Sequence, residues 1–232
     1  DAMPEITYDF DLTAFGYGGE AIGRLPDGRA IFVAYALPGE RVRVILTEEK
    51  RGFARGRLVE ILRSAPERIA PRCPHFTICG GCQLQHLPYE YQLTVKTNTV
   101  REQLQRIAGL SNPPVEPILP APRAWNYRNA VQFHLTPEGK PGFQAAASNR
   151  VVNIRECHLP EPLINAIWPQ FEFDGAEGID RVSIRLGAGD NAMVVLESNE
   201  IDLPEMDLDI PISVVHLSPA GPMVMAGDEA LI

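Results

Sequence analysis

Residues 41–62 read RVRVILTEEKRGFARGRLVEIL, and this stretch decides the fold of the N-terminal part of the chain. At residues 41–46, and again at 57–62, charged and apolar side chains recur with the period of a half-buried β-strand. Similar strand patterns, separated from these by turns rich in proline and glycine, lie at residues 6–10 and 30–33. About five short strands in about 60 residues predict a small closed β-barrel of the OB type over residues 1–63.

Residues 64–232 have the pattern of an α+β domain with an antiparallel sheet. The clearest helix signal in the chain covers residues 88–110, where Leu93, Val100, Leu104 and Ile107 fall on one face. The segment that follows is rich in proline and cannot form a regular element. A short helix is expected at residues 159–168, and strands are expected at residues 131–135, 143–147, 151–154, 182–186, 193–196 and 212–217.

The charge of the chain is unevenly distributed. The chain has 21 Lys and Arg against 30 Asp and Glu, and its net charge of −9 taken alone argues against binding to nucleic acid. Residues 1–157 carry a net charge of +3, however, whereas residues 158–232 carry −12. Within the acidic segment, the spacing of Asp207 and Asp209 is typical of a solvated strand face rather than of a cation site. The total therefore does not exclude an RNA partner for the N-terminal part.

Composition excludes two classes of protein. With 45% apolar and 22% charged residues, the sequence is that of a folded domain rather than a disordered chain. No apolar run approaches the roughly 20 residues of a membrane-spanning helix, so we expect no membrane partner. The N-terminus lacks a basic start followed by an apolar stretch, so we expect no signal peptide. We expect a cytoplasmic protein that is a monomer.

The four cysteines form a pattern that is typical of a metal site. Cys73, Cys79 and Cys82 lie within ten residues of one another, and Cys157 follows 75 residues later. Four thiolates match both a zinc site and an iron–sulfur cluster, and glycines at 80–81 would let backbone N–H groups approach a cluster. Disulfides are disfavoured because nothing indicates secretion. Three close ligands with one remote ligand favour a [4Fe–4S] cluster, and zinc remains the alternative.

Several segments resemble the iron–sulfur RNA (uracil-5-)-methyltransferases that modify 23S rRNA. GYGGEAIG at 16–23 and LPGE at 37–40 are similar to an RNA-binding TRAM domain. CPHFTICGGCQLQH at 73–86 looks like the family's cluster loop, and NIREC at 153–157 contains the remote cysteine. WNYRN at 125–129 and GFQ at 142–144 are similar to the start of the family's central sheet. The resemblance extends over essentially the whole chain. It implies a TRAM-like barrel at residues 1–63 and a central domain with the cluster loop at 64–232.

The resemblance implies an enzyme that transfers a methyl group from S-adenosylmethionine to C5 of a uracil in ribosomal RNA, with no role for DNA. Such chemistry needs a cysteine nucleophile, a base and an adenosine pocket on a doubly wound sheet. All four cysteines are assigned to the metal, and Gly16-Tyr17-Gly18-Gly19 is interpreted as a hairpin turn rather than a nucleotide loop. We therefore expect that the Rossmann-like methyltransferase domain is absent from this chain and that the chain contains no catalytic residue. We expect the chain to be an N-terminal fragment that is inactive alone.

On this interpretation S-adenosylmethionine would serve only the full-length enzyme. The alternative function is a stand-alone RNA-binding or redox-sensing protein that holds a metal with its four cysteines and has no catalysis of its own.

The basic run at residues 50–57 contains one aromatic residue and is the best RNA-binding signal in the chain. Cations would neutralise phosphates, and an aromatic ring would stack on an unpaired base. The predicted RNA-binding residues are Lys50, Arg51, Phe53, Arg55 and Arg57 in the barrel, and Arg128, Phe143 and Gln144 in the second region. His75 and His86, which flank the cysteines, are interpreted as ordinary loop residues.

Overall fold

The structure is a computed structural model that describes residues 6–171, 173, 178–189, 191–200, 212–228 and 230–231. The chain divides into two compact units, each made of two segments. They are Asp1–Thr77 with Cys82–Ala121, and Ile78–Gly81 with Pro122–Ile232. No helix in the described part of the chain is long and apolar enough to cross a membrane.

The first unit contains a closed barrel in the strand order β1-β2-β3-β5-β4. Its strands are β1 (Thr7–Phe15), β2 (Ala21–Arg24), β3 (Ala30–Val33), β4 (Arg41–Glu49) and β5 (Phe53–Arg63). The alternation at residues 41–46 places Val42 and Val44 in the barrel core, where both are fully buried. Strand β1 is longer than predicted because residues 7–11 pair with β4 and residues 12–15 continue the strand by pairing with β2. The OB-type classification of the barrel remains a prediction.

The first unit also contains α1 (Tyr89–Arg106), which confirms the predicted helix, but the apolar residues named on its face are not buried as a group. Val95 is its buried residue, whereas Val100 is 53% exposed and Ile107, just beyond the helix, is 81% exposed. Val95 packs in a small cluster with Leu37, Ala65 and Leu87. The proline-rich segment runs along another side of the helix without regular structure, and there the Ile118 N–H donates to Thr97 Oγ1. Because so small a core meets the helix, most of its apolar side chains remain partly or fully exposed.

The second unit contains a seven-stranded sheet in the order β12-β11-β10-β9-β6-β7-β8. Its strands are β6 (Ala130–Leu135), β7 (Pro141–Gln144), β8 (Val151–Asn153), β9 (Ile179–Leu186), β10 (Ala192–Ser198), β11 (Ser213–Ser218) and β12 (Gly221–Ala226). The prediction of an antiparallel sheet is wrong at one place, because β10 and β11 are parallel. Alternation along one strand carries no information about the direction of its neighbour. Asp207 and Asp209, predicted on a strand face, lie outside the described residues.

One face of this sheet is covered by α2 (Pro162–Ile167) and the 3₁₀ turn Trp168–Gln170. Ile164 and Ile167 are buried there, and the Trp168 ring meets the Phe133 ring with 5.5 Å between centroids. The short helix therefore forms where the sequence predicts one, although it begins later than expected, at a proline in its first turn.

Candidate nucleic-acid interface

The turn between β4 and β5 presents Lys50 and Arg51 to solvent. The Lys50 N–H donates to the Phe53 carbonyl at 2.8 Å, which closes the turn, and Lys50 Nζ lies 3.3 Å from Glu48 Oε1. The Arg51 side chain makes no hydrogen bond or ion pair within the described part of the chain. Of these two predicted RNA contacts, Arg51 therefore has the less compensated charge.

Arg55, another predicted RNA contact, has its charge compensated within the barrel. Its guanidinium pairs with Glu20 and lies 3.4 Å from Glu48 Oε2. It also lies over the Phe32 ring, 5.6 Å from the ring centroid, in a cation–π contact. The neighbouring predicted contact Arg57 is exposed on β5. Arg55 is thus held in a fixed position by residues of its own barrel.

Most other arginines of the barrel are also paired with carboxylates. Arg43 and Arg41 of β4 lie directly opposite Asp9 and Asp11 of β1, at 2.8 Å and 3.0 Å. The hydrogen bond from Arg43 holds the pKa of the Asp9 carboxyl below its ordinary value. Further pairs join Arg29 to Asp27 and Glu49, Arg43 to Glu60, and Arg63 to Asp11. The basic residues of the barrel therefore contribute less uncompensated charge than their number indicates.

Two aromatic side chains meet on the outer surface of the barrel. The rings of Phe32 on β3 and Phe53 on β5 contact each other edge to face, with 5.9 Å between centroids. Sequence reasoning selected Phe53 but missed Phe32. The signal for Phe32 was present, because the alternation of residues 30–33 places Ile31 and Val33 in the core and so turns Phe32 outward.

Three predicted contacts belong to the second unit. Arg128 is exposed, and its backbone is fixed by bonds to Leu159 and Glu161. Phe143 is half buried, and its ring stacks on that of Phe133 with 5.1 Å between centroids. Gln144 is exposed at the end of β7. Phe143 is therefore partly a core residue, whereas Arg128 and Gln144 present their side chains to solvent.

Within the second unit, the segment Ile78–Gly81 joins the sheet at Cys79. Cys79 forms an isolated β-bridge with Ala145, and the Gly80 N–H donates to the Gln144 carbonyl at 2.9 Å. A Cβ at Gly80 would lie 3.0 Å from that carbonyl oxygen, so this close approach favours glycine. The Gly81 N–H donates to Cys79 Sγ at 3.4 Å. The backbone of Gly80 thus binds the neighbouring strand, and that of Gly81 binds the sulfur.

The described residues do not assemble the predicted metal site. Cys73, Cys79, Cys82 and Cys157 are all free and partly buried. Free cysteines can lose their protons and bind a metal as thiolates. Their donor chemistry fits zinc or an iron–sulfur cluster. Among the described residues, however, no three potential ligands lie close enough together to hold a metal ion. The structure therefore does not support the predicted [4Fe–4S] cluster, which continues to rest on the sequence pattern.

The first unit also contains a buried ionic pair, formed by Glu40 and Arg68, and a buried histidine, His86. Glu40 is fully buried and accepts hydrogen bonds from Arg68 and from the Leu37 N–H. Burial would raise the pKa of Glu40, but these hydrogen bonds and the Arg68 charge hold it below its ordinary value. His86 is also fully buried, next to the Phe76 ring. Burial, assisted by the Arg68 charge, lowers the pKa of His86 to about 4. His86 is therefore a buried neutral residue rather than an ordinary loop residue.

Comparison with known proteins identifies the class of the barrel. Residues 7–59 match the family model of the TRAM domain. The first unit of the chain therefore carries a TRAM domain, as the resemblance implied.

Proteins that align with most of this chain are named as RNA methyltransferases. A 23S rRNA (uracil(1939)-C(5))-methyltransferase RlmD of Alkalilimnicola ehrlichii is 34% identical over 216 residues, which are 89% of this chain and 48% of the relative. An uncharacterized RNA methyltransferase of Nostoc sp. is 38% identical over 160 residues, 67% of this chain and 35% of the relative. This chain thus spans between about a third and a half of the length of the curated relatives it matches.

A solved structure shares the fold of the chain. The crystal structure of Pyrococcus abyssi tRNA (uracil-54, C5)-methyltransferase in complex with S-adenosyl-L-homocysteine matches with a TM-score of 0.61 at 20% identity. The match covers 97% of this chain and 53% of that chain.

These comparisons correct the predictions of an absent methyltransferase domain, a fragment without catalysis and a chain that is inactive alone. Proteins named as RNA methyltransferases align over 66% to 89% of this chain, and the fold of a methyltransferase structure covers 97% of it. The matches to proteins named as RNA methyltransferases therefore extend over most of this chain. We withdraw those three predictions together with the alternative of a non-catalytic metal protein.

Proposed function

We propose that this protein is an S-adenosylmethionine-dependent RNA (uracil-5-)-methyltransferase that acts on ribosomal RNA in the cytoplasm. The observation that carries the proposal is the alignment of 89% of the chain with a relative named as a 23S rRNA uracil-C5 methyltransferase. The TRAM match adds support, because that domain was expected to bind RNA. In this proposal S-adenosylmethionine supplies the methyl group and C5 of a uracil accepts it.

The test is methyl transfer by the protein expressed from its full reading frame. The protein would be incubated with S-adenosylmethionine labelled in its methyl group and with unmodified ribosomal RNA or transfer RNA. We expect 5-methyluridine in nucleosides released from ribosomal RNA, and none when S-adenosylmethionine is omitted. Methylation of transfer RNA alone would contradict the ribosomal substrate. An absence of transfer to either RNA would contradict the enzyme.

The RNA contacts that we propose are the solvent-facing members of the predicted set. Arg51 and Arg57 on the barrel, and Arg128 and Gln144 on the second unit, expose their side chains. Lys50 and Arg55 are exposed but carry carboxylate partners, and Phe53 and Phe143 are half buried, so we propose that these four contribute less. We retain the predictions that RNA is preferred over DNA and that the protein is a monomer. A competition assay with DNA of the same sequence and light scattering would test them.

We further propose that Cys73, Cys79, Cys82 and Cys157 bind a metal, with a [4Fe–4S] cluster favoured and zinc as the alternative. The support is their spacing in the sequence and the hydrogen bond from Gly81 to the sulfur of Cys79. Anaerobic purification followed by iron, sulfide and zinc assays tests the proposal. About four iron and four sulfide per chain are expected for such a cluster. A colourless protein with one zinc would establish the alternative, and a metal-free protein would contradict both.

A further inference from the structure

We propose that an unpaired nucleobase of RNA stacks on an aromatic patch of the barrel, formed by Tyr17, Phe32 and Phe53. Two arginines beside this aromatic patch, Arg24 and Arg51, bind the phosphates that flank the base. The inference rests on the proposed function, because it names the part of the barrel that would contact the RNA substrate. It also adds three residues that the sequence pattern did not select: Tyr17, Arg24 and Phe32.

The strand register places the two phenylalanines on one outer surface. Phe32 of β3 lies opposite Ile22 of β2 on one side and opposite Arg55 of β5 on the other. Phe53 precedes Arg55 by two residues and therefore projects from the same face of β5. Both phenylalanines are half buried, and their edge-to-face contact leaves part of each ring at the surface. The Arg55 guanidinium, already neutralised by Glu20, lies over the Phe32 ring and adds a further planar group to this surface.

Tyr17 lies at the tip of the turn between β1 and β2 and is 79% exposed. The turn passes close to the aromatic patch, because a Cβ at Gly16 would lie 3.2 Å from the Phe32 ring. Gly18 and Gly19 have positive φ values of 92° and 86°, and a Cβ at Gly19 would lie 3.0 Å from Leu84. The turn therefore has a defined shape and a backbone contact with its own unit. It presents the exposed ring of Tyr17 to solvent on the residue that follows Gly16, the turn's contact with Phe32.

The distribution of ion pairs selects Arg24 and Arg51 as phosphate ligands. Arg24 donates to the Gly28 carbonyl at 3.0 Å and Arg51 makes no side-chain bond, so neither has a carboxylate partner within the described part of the chain. Strand pairing and sequence relate both arginines to Phe53. Arg24 faces Ala30 of β3, which in turn faces Phe53, and Arg51 precedes Phe53 by two residues. Exposed cations without internal partners are the ones that gain most from a phosphate.

The combination of aromatic rings at the surface with arginines that lack carboxylate partners favours single-stranded RNA over a protein partner. Rings and a guanidinium plane accept any unpaired base, because every base has a π-face, whereas the adjoining cations follow the backbone. A double helix keeps its bases stacked on one another and would leave the aromatic patch unused. The proposed ligand is thus one unpaired nucleotide with its two phosphates, recognised without strong preference for the base.

The first experiment measures binding of a fluorescein-labelled ten-nucleotide oligouridylate by anisotropy at several salt concentrations. Arg24→Gln and Arg51→Gln should each weaken binding and reduce the salt slope by about 0.7 to 1. The matched control is Arg41→Gln, which removes the same charge from an exposed arginine that pairs with Asp11. The control should retain the salt slope. Equal losses in all three variants would show that only net charge matters and would overturn the site.

The second experiment tests stacking directly. Tyr17→Leu and Phe53→Leu retain apolar volume but remove the ring, and each should weaken binding about five-fold or more. With 5-iodouridine in the oligonucleotide, ultraviolet light should cross-link the base to Tyr17, Phe32 or Phe53, as located by mass spectrometry. Cross-links confined to other residues, or unchanged affinity in both folded variants, would overturn the proposal. The cross-linking assay needs no S-adenosylmethionine and is therefore independent of the methyl-transfer test. Cross-linking at these rings together with failure of the methyl-transfer test would contradict the proposed function and leave the site standing.

Discussion

Arg68 donates two hydrogen bonds to the buried carboxylate of Glu40, from Nε to Oε1 at 2.6 Å and from Nη2 to Oε2 at 2.8 Å. The same carboxylate accepts the backbone N–H groups of Leu37 and Ala65, and Arg68 also donates to the Tyr35 carbonyl. One ionic pair therefore joins the turn before β4, the end of β3 and the segment after β5. In these contacts each charged group has the other as its charged partner, and the remaining bonds are to backbone groups.

Glu40→Ala should destabilise the first unit strongly, because it leaves the Arg68 guanidinium largely buried without its carboxylate. We expect the free energy of unfolding to fall by about 3–5 kcal/mol. Unfolding by urea can be followed at 222 nm, where α1 dominates the helical signal. The control is Arg41→Ala, which breaks an exposed pair and should cost about 1 kcal/mol or less. Similar losses in both variants would contradict the role assigned to the buried pair.

His86 should make the first unit less stable in mild acid. Its pKa is lowered from 6.5 to about 4 in the folded chain, so between these pH values the unfolded chain binds a proton that the folded chain does not. Stability is therefore complete above pH 6.5 and falls as the pH approaches 4, by up to about 3 kcal/mol at about 1.36 kcal/mol per pKa unit. The measurement is urea unfolding at 222 nm between pH 4 and 7.

The variants for this measurement are His86→Leu and, as control, His134→Leu on the sheet of the second unit. His86→Leu should flatten the pH dependence of the first unit across that range, whereas His134→Leu should retain it. A profile of the same slope in His86→Leu would assign the pH dependence to other groups.

Gly142→Ala should destabilise the sheet of the second unit. A Cβ at this position would lie 2.3 Å from the Val152 carbonyl oxygen, so β7 and β8 would have to separate. We expect a loss of about 1–3 kcal/mol, measured by tryptophan fluorescence because both tryptophans belong to the second unit. The control is Gly52→Ala, where a Cβ would meet no atom within 4 Å. Unfolding of Gly142→Ala at the denaturant concentration of the unmodified protein would contradict the close approach.

Phe143→Leu should separate packing from RNA binding in the second unit. Phe143 is half buried, whereas its stacking partner Phe133 is fully buried and cannot reach a ligand. Leucine keeps most of the apolar volume, so both Phe143→Leu and Phe133→Leu should cost about 1.5 kcal/mol or less. If Phe143 contacts RNA as proposed, only Phe143→Leu should weaken binding to the labelled oligonucleotide. An equal effect of both variants on affinity would indicate an indirect, structural cause.

Part of the architecture could be predicted because its signal is local. The period of two at residues 41–46 and 30–33 depends only on which side chains face a core, and it located β4 and β3 correctly. Glycine and proline placed the turns for the same reason, since their backbone preferences act within a few residues. Cysteine spacing and the glycine turn at residues 16–19 also carried the resemblance to methyltransferases, which the comparisons support.

The candidate RNA site could be predicted only in part. The basic run selected Arg51 and Phe53, but it gave Arg55 equal weight, although Glu20 lies far from Arg55 in sequence and compensates its charge. Arg24 has no distinguishing signal in the sequence and stands out only because most other arginines of the barrel have carboxylate partners. Which cation remains uncompensated is a property of strand register, and register follows from pairing between distant segments.

The division between local and tertiary information is clearest at three places. Strand positions and turns followed from short-range pattern, because backbone preference and burial alternation act over a few residues. The TRAM-like character of the barrel followed from the resemblance of residues 16–23 and 37–40 to that domain. The parallel pairing of β10 with β11, the exposure of Val100 and Ile107, and the burial of Glu40 and His86 did not follow. They depend on which surfaces meet when segments far apart in the chain pack together, and only the folded chain brings those surfaces into contact.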